Sequence, residues 1–585
     1  MFKPFAPHMV DGYKLGHAGM YAEGTDFLCS NLTPRSNKYF KGSRLYDGKM
    51  VVFGAFGAIQ EIVQLWDETF FQKEKSDALR KYRRRVEGYL GKDVIDFKRM
   101  SDLHDLGYLP LEIKTIDEGS RIAMKIPMLT IKNTHPDFFW LVNYLETILS
   151  AMIWKGTTNA TIAYEYKRIA TDYAIKTGCP VESVLFQIHG FEMRGMSGVE
   201  DASRSGAGPL ATGLLGTDTV GAIDYIEDYY GHGLNLDNYL IAASVPATEH
   251  AVSSSNILSR AARMESGSDI GDYVDTRLLA EAEFLLDYIT KVIPTGIASY
   301  VADTYDYWNV LSKFLAMPYI KKAILGRDGK LVIRPDSGDP VDVICGVELP
   351  SFANDKYLHD NLIEHGYKIV NNGNYDTSCA EDEVSFFYRV DGVVHKCIGL
   401  VDVEYDRSLH FDQTTTFECD LTPQEKGSIE VLWEIFGGTV NEAGFKVLDS
   451  HIGLIYGDSI TIDRADKIFK RLMDKGFASC NVVLGVGSYT YQMNSRDTLG
   501  TAMKATVTGI NGELLDIYKD PATGDKLKKS AKGFLYVFRD TNGEFQLVDQ
   551  VDQDTEKLGE LKVRFKDGKF FNHENIKLVR DRLAF

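Results

Sequence analysis

From about residue 181 the sequence repeats one kind of unit, a short apolar run that leads into a polar tip. Helical segments separate several of these units. Runs that are apolar at consecutive positions suit parallel strands covered on both faces. Seven units favour a (β/α) barrel over an open sheet, with the chemistry at the carboxyl ends of the strands. The seven stretches are SVLFQIHGFEMRG, LLGTDTVGA, LIAASVPATEH, GIASYVADTYD, LVIRPDSGDP, IGLIYGDSIT and NVVLGVGSYT.

A chain of 585 residues is too long for one ordinary domain. The predicted fold class is α/β, with a (β/α) barrel-like catalytic domain over 181–497. Residues 1–180 and 498–585 are predicted to form a discontinuous α+β domain, whose C-terminal part is rich in hairpin signals. An excursion at about 345–430 interrupts the barrel. It contains VSFFYRVDGVVHKCIGLVDVEYD, which alternates like antiparallel strands around an Asp-Gly turn.

Composition and charge exclude several classes of function. A net charge of −18 argues against broad binding to nucleic acid or to anionic membranes. No stretch approaches the roughly 20 apolar residues of a membrane span, and the N-terminus lacks the apolar core of a secretory signal. Seven cysteines without a CxxC pair suit free thiols in a reducing compartment, so we expect a cytoplasmic protein.

Charged side chains stand at several of the polar tips, and a barrel would bring them to one rim. In IRPDSGDP, for example, an arginine offers a planar fork for phosphate and a carboxylate accepts from sugar hydroxyls. Glycines in YGDS and GVGS expose backbone N–H groups, as a phosphate-binding loop requires. Acidic and basic groups on one rim indicate a phosphorylated sugar and a divalent cation. The residues are Arg194, Asp218, His250, Asp303, Arg334, Asp336, Asp458 and Arg496.

A zinc site in the excursion is not expected. The spacing of its cysteines and histidines matches no standard zinc site. These residues are Cys379, His395, Cys397, His410 and Cys419.

The motifs together resemble the nicotinamide phosphoribosyltransferases, a type II phosphoribosyltransferase family related to nicotinate phosphoribosyltransferase. The resemblance covers nearly the whole chain except the excursion. The matching motifs are HGFEMRG, GTDT, SVPATEH, IRPDSGDP, YGDS and SRD, with DGYKLGH (Asp11–His17) and TPRS (Thr33–Ser36) near the N-terminus and YKDP (Tyr518–Pro521) near the C-terminus.

The resemblance implies an aromatic clamp for nicotinamide. Phe191 would stack on the pyridine ring, and Tyr13 of the partner subunit in a homodimer would cover its other face. Asp218 would accept a hydrogen bond from the carboxamide, with Ser299 as a further nicotinamide-binding position. Nicotinate would bring a second carboxylate against Asp218, and losing a charge-assisted hydrogen bond costs roughly 1.5–3 kcal/mol. We therefore expect the amide, not the acid, to be the substrate.

The resemblance also implies how 5-phosphoribosyl-1-pyrophosphate is held while the ring nitrogen attacks C1 and pyrophosphate leaves. An oxocarbenium-like transition state would be stabilised by carboxylates near the ribose, and by cations with Mg²⁺ near the leaving group. The expected ribose positions are Arg334, Asp336, Gly457 and Asp458. The expected phosphate and pyrophosphate positions are Arg194, Gly487, Ser488, Arg35, Arg496, Lys504 and Lys519.

The histidine matching His250 can be phosphorylated by ATP in this family, with Glu249 and Asp303 orienting it. This sequence departs from the family pattern at two places, one in the phosphate-binding loop and one in the segment expected to bind ATP. Ser488 and Tyr489 replace glycines of the family's phosphate loop. Lys526 is retained in KLKKSAKGF, but Phe534 stands where an arginine that helps to bind the nucleotide is expected.

Three alternatives stay open. The nearest is nicotinate phosphoribosyltransferase, against which Asp218 argues. A phosphosugar isomerase or aldolase on the same scaffold would use an enolising base or a Schiff-base lysine, and no lysine occupies the seven tips. A non-catalytic binding protein would be free to lose the pyrophosphate cations, yet Arg35, Arg496 and Lys504 are present.

Overall fold

The computed structural model describes residues 3–267, 276–372, 382–403, 409–519 and 530–584. Strands and helices alternate through much of the chain, and the fold is mixed α/β. Within the described residues no helix is both long and apolar enough to cross a membrane. Lys526 and Cys379 lie outside the described residues, as do Asp520 and Pro521 of YKDP and the side chain of His410.

The strands are, in chain order, β1 (Thr25–Thr33), β2 (Lys49–Val51), β3 (Leu111–Thr115), β4 (Arg121–Ala123), β5 (Leu129–Asn133), β6 (Ile188–Phe191), β7 (Gly216–Thr217), β8 (Gly296–Val301), β9 (Gly329–Arg334), β10 (Asp382–Val390), β11 (Val393–Val403), β12 (Leu409–Glu418), β13 (Gly438–Val440), β14 (Lys446–Leu448), β15 (Ile452–Tyr456), β16 (Val482–Gly487), β17 (Ala502–Ile510), β18 (Glu513–Asp516), β19 (Phe534–Arg539), β20 (Phe545–Val551), β21 (Lys562–Lys566) and β22 (Lys569–Phe570).

The α-helices are α1 (Ala55–Trp66), α2 (Lys75–Leu90), α3 (Lys98–Leu106), α4 (Leu141–Tyr144), α5 (Glu146–Lys176), α6 (Val184–Gln187), α7 (Val199–Ala211), α8 (Val220–Tyr230), α9 (His250–Gly267), α10 (Thr276–Asp287), α11 (Tyr307–Asn309), α12 (Pro318–Leu325), α13 (Pro340–Cys345), α14 (Leu358–Asn372), α15 (Pro423–Lys426), α16 (Ser428–Phe436), α17 (Ile462–Asp474), α18 (Ser488–Tyr491), α19 (Gln553–Lys557) and α20 (Ile576–Arg582).

The chain divides into two compact units. The first comprises Met1–Ile169, Ile188–Ser244 and Val486–Phe585, and the second comprises Ala170–Gln187 and Val245–Gly485. One boundary falls within α5 and another within β16.

The first unit contains a seven-stranded sheet in the order β18-β17-β1-β5-β3-β21-β22. Every neighbouring pair in it is antiparallel. The three central strands come from the N-terminal part of the chain, and the flanking strands on both sides come from the C-terminal part. The predicted hairpins of the tail are confirmed, because β19 pairs with β20 and β21 with β22. A buried core that includes Trp66, Phe70 and Phe565 packs in this unit.

Parallel strands are present in both units. In the first, β6 pairs in parallel with β7. In the second, β16, β15, β9 and β8 are neighbours in that order and pair in parallel. Tyr300, Ile333 and Leu454 are buried in these strands. The prediction of parallel strands is therefore confirmed in six of the seven predicted stretches.

The third stretch, LIAASVPATEH, is not a strand. Only isolated bridges form there, between Gly216 and Ala243 and between Ala247 and Ser299. Pro246 has no N–H to donate to a neighbouring strand, so a continuous ladder cannot pass through it. Its carbonyl still accepts from the backbone N–H of Ser299 at 2.8 Å.

The first stretch is also shorter as a strand than expected. The apolar run SVLFQI was predicted to be extended, but Val184–Gln187 is helical and the strand begins only at Ile188. Phe186 is 45% exposed, so the run is not buried throughout. Consecutive apolar residues do not distinguish a buried strand from a short helix.

The excursion contains a small antiparallel sheet in the order β10-β11-β12, as the alternating pattern predicts. Asp391 and Gly392 form its first turn with φ of 51° and 85°, the left-handed values of a type I′ hairpin. The sheet has its own core around Phe386, Cys397 and Phe411. Among the described residues no group of three or more histidine, cysteine or carboxylate side chains could hold a metal ion.

Candidate active site

In the first unit, Asp218 directly follows β7 and is held by two side chains. His189 Nε2 lies 2.9 Å from Asp218 Oδ1, and Ser244 Oγ donates to the same oxygen at 2.5 Å. The backbone N–H of Asp218 donates to the carbonyl of Gly190 at 2.9 Å, which fixes the loop against β6. The Asp218 side chain remains 45% exposed. The result is an oriented carboxylate acceptor at the end of a parallel strand.

Phe191 ends β6 beside this carboxylate. Its ring centroid lies 4.8 Å from that of His189, at an interplanar angle of 42°. Phe191 is only partly buried. An aromatic face next to a fixed acceptor can bind a flat heteroaromatic ring that carries an N–H donor.

The turn after Phe191 packs on the start of α18. Gly195 has no room for a side chain, because a Cβ there would overlap Ser488 Oγ. Arg194, one residue earlier, is exposed. Gly487 and Ser488 lie at the end of β16 and the start of α18, and a Cβ on Gly487 would lie 3.8 Å from the Phe191 carbonyl oxygen. The turn that carries Arg194 therefore lies against the predicted phosphate loop.

Four predicted pyrophosphate-binding cations form one electrostatic cluster in the first unit. Burial is the main cause that lowers the pKa of Lys504, and Arg35, Lys519 and Arg496 lower it further, while Glu146 opposes the shift. Lys504 Nζ donates to the Met503 carbonyl at 2.7 Å, and Arg35 Nε donates to the Gly500 carbonyl at 2.9 Å. Cations that act on one another in this way favour binding of a multiply charged anion.

Glu192 is a site feature that the sequence analysis missed. It follows Phe191 directly but is 1% exposed, and among the described residues only weak polar contacts, from the Thr219 hydroxyl and its own backbone N–H, reach the buried carboxylate. A Cβ on Gly206 would lie 2.6 Å from its Oε1, so α7 leaves room for it only because glycine is present. Burial raises the pKa of Glu192 to about 7.

His189 and Ser244 were also missed as partners of Asp218. Both stood inside the motifs HGFEMRG and SVPATEH. His189 could have been found from its position two residues before Phe191, because side chains two residues apart lie on the same side of an extended strand. Ser244 carried no local signal, since it reaches Asp218 across a separation of 26 residues.

In the second unit, His250 begins α9 between two carboxylates. Its Nε2 lies 3.8 Å from Asp303 Oδ1 and 3.9 Å from Asp336 Oδ2, and its Nδ1 lies 3.3 Å from Thr304 Oγ1. The imidazole is 49% exposed. Glu249 is exposed, and its carbonyl accepts from the N–H of Ser253 at 2.9 Å.

Asp303 also fixes the tip that follows β9. Its Oδ2 accepts from the backbone N–H of Asp336 at 3.0 Å and from Ser337 Oγ at 2.8 Å. Its Oδ1 is buried without a hydrogen-bond partner among the described residues and lies on the side of His250. The Arg334 carbonyl accepts from the N–H of Ala302 at 3.0 Å, which joins β8 to β9 at this end.

The remaining predicted residues of the second unit lie at or near the same strand ends. Gly457 and exposed Asp458 follow β15. Burial is the main cause that raises the pKa of the Tyr456 phenol, and the negative charges of Asp458 and Asp336 raise it further. Both carboxylates therefore influence the same phenol. Ser299 lies in β8 and is 4% exposed.

Tyr13, Lys519 and Phe534 belong to the first unit. Tyr13 lies in the 3₁₀ helix Gly12–Gly19 and is 66% exposed. Lys519 is exposed, and its N–H donates to Ser530 Oγ at 2.9 Å. Phe534 is buried in a small cluster with Cys29 and Val507. An arginine could not replace it there without burying a charge.

Comparison with known proteins gives one family. The model of the nicotinate phosphoribosyltransferase (NAPRTase) family matches residues 186–393 and 414–569. A protein of Acinetobacter baylyi named nicotinamide phosphoribosyltransferase is 40% identical over 582 residues, which are 98% of this chain and 96% of that protein. A Mycoplasma pneumoniae protein of the same name is 27% identical and covers 89% of this chain and 93% of its own length. The crystal structure of human nicotinic acid phosphoribosyltransferase aligns over 98% of this chain and 92% of its own, at 13% identity and a TM-score of 0.46.

Proposed function

Because the chain belongs to the nicotinate phosphoribosyltransferase (NAPRTase) family, we propose that it transfers the phosphoribosyl group of 5-phosphoribosyl-1-pyrophosphate to nicotinamide. The products are nicotinamide mononucleotide and pyrophosphate, a step of NAD salvage. Two curated relatives that cover most of the chain carry the name nicotinamide phosphoribosyltransferase, which supports the amide as substrate.

The Asp218 carboxylate carries the choice of nicotinamide over nicotinate. Two donors, His189 and Ser244, orient it, so its position is fixed before a ligand arrives. The Asp218 carboxylate can accept a hydrogen bond from the carboxamide N–H₂ of nicotinamide, whereas the carboxylate of nicotinate would be repelled by its negative charge. Phe191 supplies the flat face against which the ring stacks.

The other residues act on the phosphoribosyl donor. Asp336 and Asp458 would stabilise positive charge that develops on the ribose, and Arg334 would bind beside them. Gly487, Ser488 and Arg194 would hold the 5′-phosphate, for which the start of a helix is suited. The cluster of Arg35, Arg496, Lys504 and Lys519 would neutralise the leaving pyrophosphate. The attacking ring nitrogen carries no proton, so no general base is required.

Mg²⁺ fits as a partner of the substrate. The described residues offer no cluster of three ligands, so carboxylates such as Asp336 or Asp458 would supply only one or two, with pyrophosphate oxygens and water as the rest. Bound there, the ion would neutralise charge on the leaving group.

We further propose a homodimer and an ATP-dependent modification of His250. Exposed Tyr13 is available to reach the ring bound by a partner subunit. His250 would accept the γ-phosphoryl group of ATP, with release of ADP. Asp303 and Asp336 lie within ion-pair distance of the imidazole Nε2 and would accept a hydrogen bond from its N–H. The cytoplasmic location stays a prediction.

The test incubates the purified protein with 5-phosphoribosyl-1-pyrophosphate, Mg²⁺ and either nicotinamide or nicotinate, and measures mononucleotide and pyrophosphate. We expect product from nicotinamide. Product from nicotinate alone would refute the assignment of Asp218 and favour the sister activity. No product from either base would favour a binding protein.

The substitution Asp218→Asn isolates the recognition step. It should weaken the preference for the amide by about 10- to 100-fold, the equivalent of one charge-assisted hydrogen bond, while the KM for 5-phosphoribosyl-1-pyrophosphate stays close to wild type. Asp224→Asn, an exposed carboxylate in α8, is the matched control and should leave the preference unchanged. An unchanged preference in Asp218→Asn would remove Asp218 from this role.

A further inference from the structure

Two cysteines far apart in sequence lie side by side in the second unit. The Sγ atoms of Cys179 and Cys480 are 2.6 Å apart, across a separation of 301 residues. Cys179 follows the end of α5, and Cys480 lies in the 3₁₀ turn Ser479–Asn481 that precedes β16. The six described cysteines are free thiols.

Polar groups surround the sulfur of Cys179. The backbone N–H of Cys480 lies 3.3 Å from it, Thr177 Oγ1 3.5 Å and Ser479 Oγ 3.7 Å. The thiol of Cys480 is the main cause that lowers the pKa of the Cys179 thiol, and these neighbouring groups lower it further, while burial opposes the shift. A thiolate is the nucleophilic form of cysteine, so this environment favours Cys179 as the attacking sulfur.

The backbone on both sides of the pair is anchored. The N–H of Cys179 donates to the Ala174 carbonyl at 2.8 Å. Gln187 Nε2 donates to the Ser479 carbonyl at 2.5 Å and to the Val482 carbonyl at 3.1 Å. The fold therefore holds the sulfurs together, at a separation of 2.6 Å that is close to the S–S bond length of about 2.05 Å in a disulfide.

One sulfur of the pair is within reach of small molecules, and the other is buried beside it. Cys480 is partly exposed, whereas Cys179 is 7% exposed. Cys29 and Cys345 are buried, and burial raises the pKa of each thiol to about 12. Their environments are those of inert structural cysteines.

We propose that Cys179 and Cys480 form a reversible intrachain disulfide when the protein meets hydrogen peroxide. The Cys179 thiolate attacks one peroxide oxygen, the O–O bond breaks, and the other oxygen leaves as hydroxide, which takes a proton to become water. The resulting sulfenic acid of Cys179 is attacked by the sulfur of Cys480, whose proton leaves with the sulfenic oxygen as a second water. Two thiols are oxidised to one disulfide, and one peroxide is reduced to two waters.

The test uses the full-length protein purified under reducing conditions. After treatment with hydrogen peroxide and alkylation of the remaining thiols, digestion and mass spectrometry should find the peptides of Cys179 and Cys480 joined, lighter by two hydrogens. Dithiothreitol should restore both thiols. The oxidised protein should have a higher Tm than the reduced one, because the bond closes a long loop in the unfolded chain.

Two variants make the test specific. Cys480→Ser should lose the joined peptides and the rise in Tm, and its reduced form should keep the wild-type Tm. Cys419→Ser, which removes another partly exposed cysteine of the same unit, should keep both effects. The proposal is overturned if peroxide leaves both cysteines open to alkylation, or if the joined peptides appear only after the protein is unfolded. Neither readout depends on the transferase activity.

Discussion

The buried carboxyl of Glu192 gives a prediction about stability and pH. In the unfolded chain a glutamate titrates near its ordinary value of 4.5, whereas burial raises the pKa in the folded protein to about 7. Below pH 4.5 both states hold the proton and Glu192 costs nothing. As the pH rises towards 7, the unfolded chain releases a proton that the folded protein keeps, so the folded state loses stability.

The magnitude follows from the difference between the two pKa values. At 1.36 kcal/mol per pH unit, the loss above pH 7 is about 3 kcal/mol. Glu192→Gln is neutral at every pH and avoids this loss, because it resembles the protonated carboxyl in shape. The variant's advantage in free energy of unfolding should therefore grow by about 2 kcal/mol between about pH 5.5 and 8.

The assay is urea-induced unfolding of wild type and variant at several pH values, followed by circular dichroism. Other buried carboxyls, such as Glu118 and Glu281, are present in both proteins and cancel in the difference. Glu227→Gln, an exposed position in α8, is the control, and its effect should be constant with pH. An advantage of Glu192→Gln that does not change with pH, or a wild type more stable at pH 8, would refute the reasoning.

Two further predictions concern the loops and the histidine. Gly195→Ala should lower activity by about tenfold or more, because the new Cβ would overlap Ser488 Oγ and displace the turn that bears Arg194. Adding Ser488→Gly to this variant should restore part of the activity. Failure of that rescue would show that the overlap is not the cause. His250→Asn should abolish stimulation by ATP and the acid-labile phosphate on the protein, while ATP-independent transfer persists. Labelled phosphate on the His250→Asn variant would contradict the proposed phosphorylation.

The sequence predicted best the local structures, which depend on residues that are neighbours along the chain. The hairpin turn at Asp391 and Gly392 was predicted from a two-residue signal, because few other residues accept the left-handed backbone that this turn needs. Parallel strands were predicted from short apolar runs that end in polar tips. The same rule failed for SVLFQI, where the apolar run itself does not select strand over helix.

The sequence predicted less well what depends on distant residues. Asp218 was named as a site residue, but its orientation by Ser244 arises only when two tips meet in space. Glu192 was not named at all, since nothing in its neighbours shows that α7 will cover it. Likewise Cys179 and Cys480 carry no shared motif, and only the fold brings their sulfurs together.

The seven-stranded sheet of the first unit has a consequence for synthesis of the chain on the ribosome. Its central strands β1, β5 and β3 emerge early, but the strands that cover both of their edges, β17 and β21, emerge near the end. The side chain of Asn31 in β1 donates to the carbonyl of Lys504, which is synthesised 473 residues later. At about 5–20 residues per second, that interval is roughly half a minute to a minute and a half. During it, both edges can pair with other nascent chains, so chains that stop before residue 502 should aggregate or depend on chaperones.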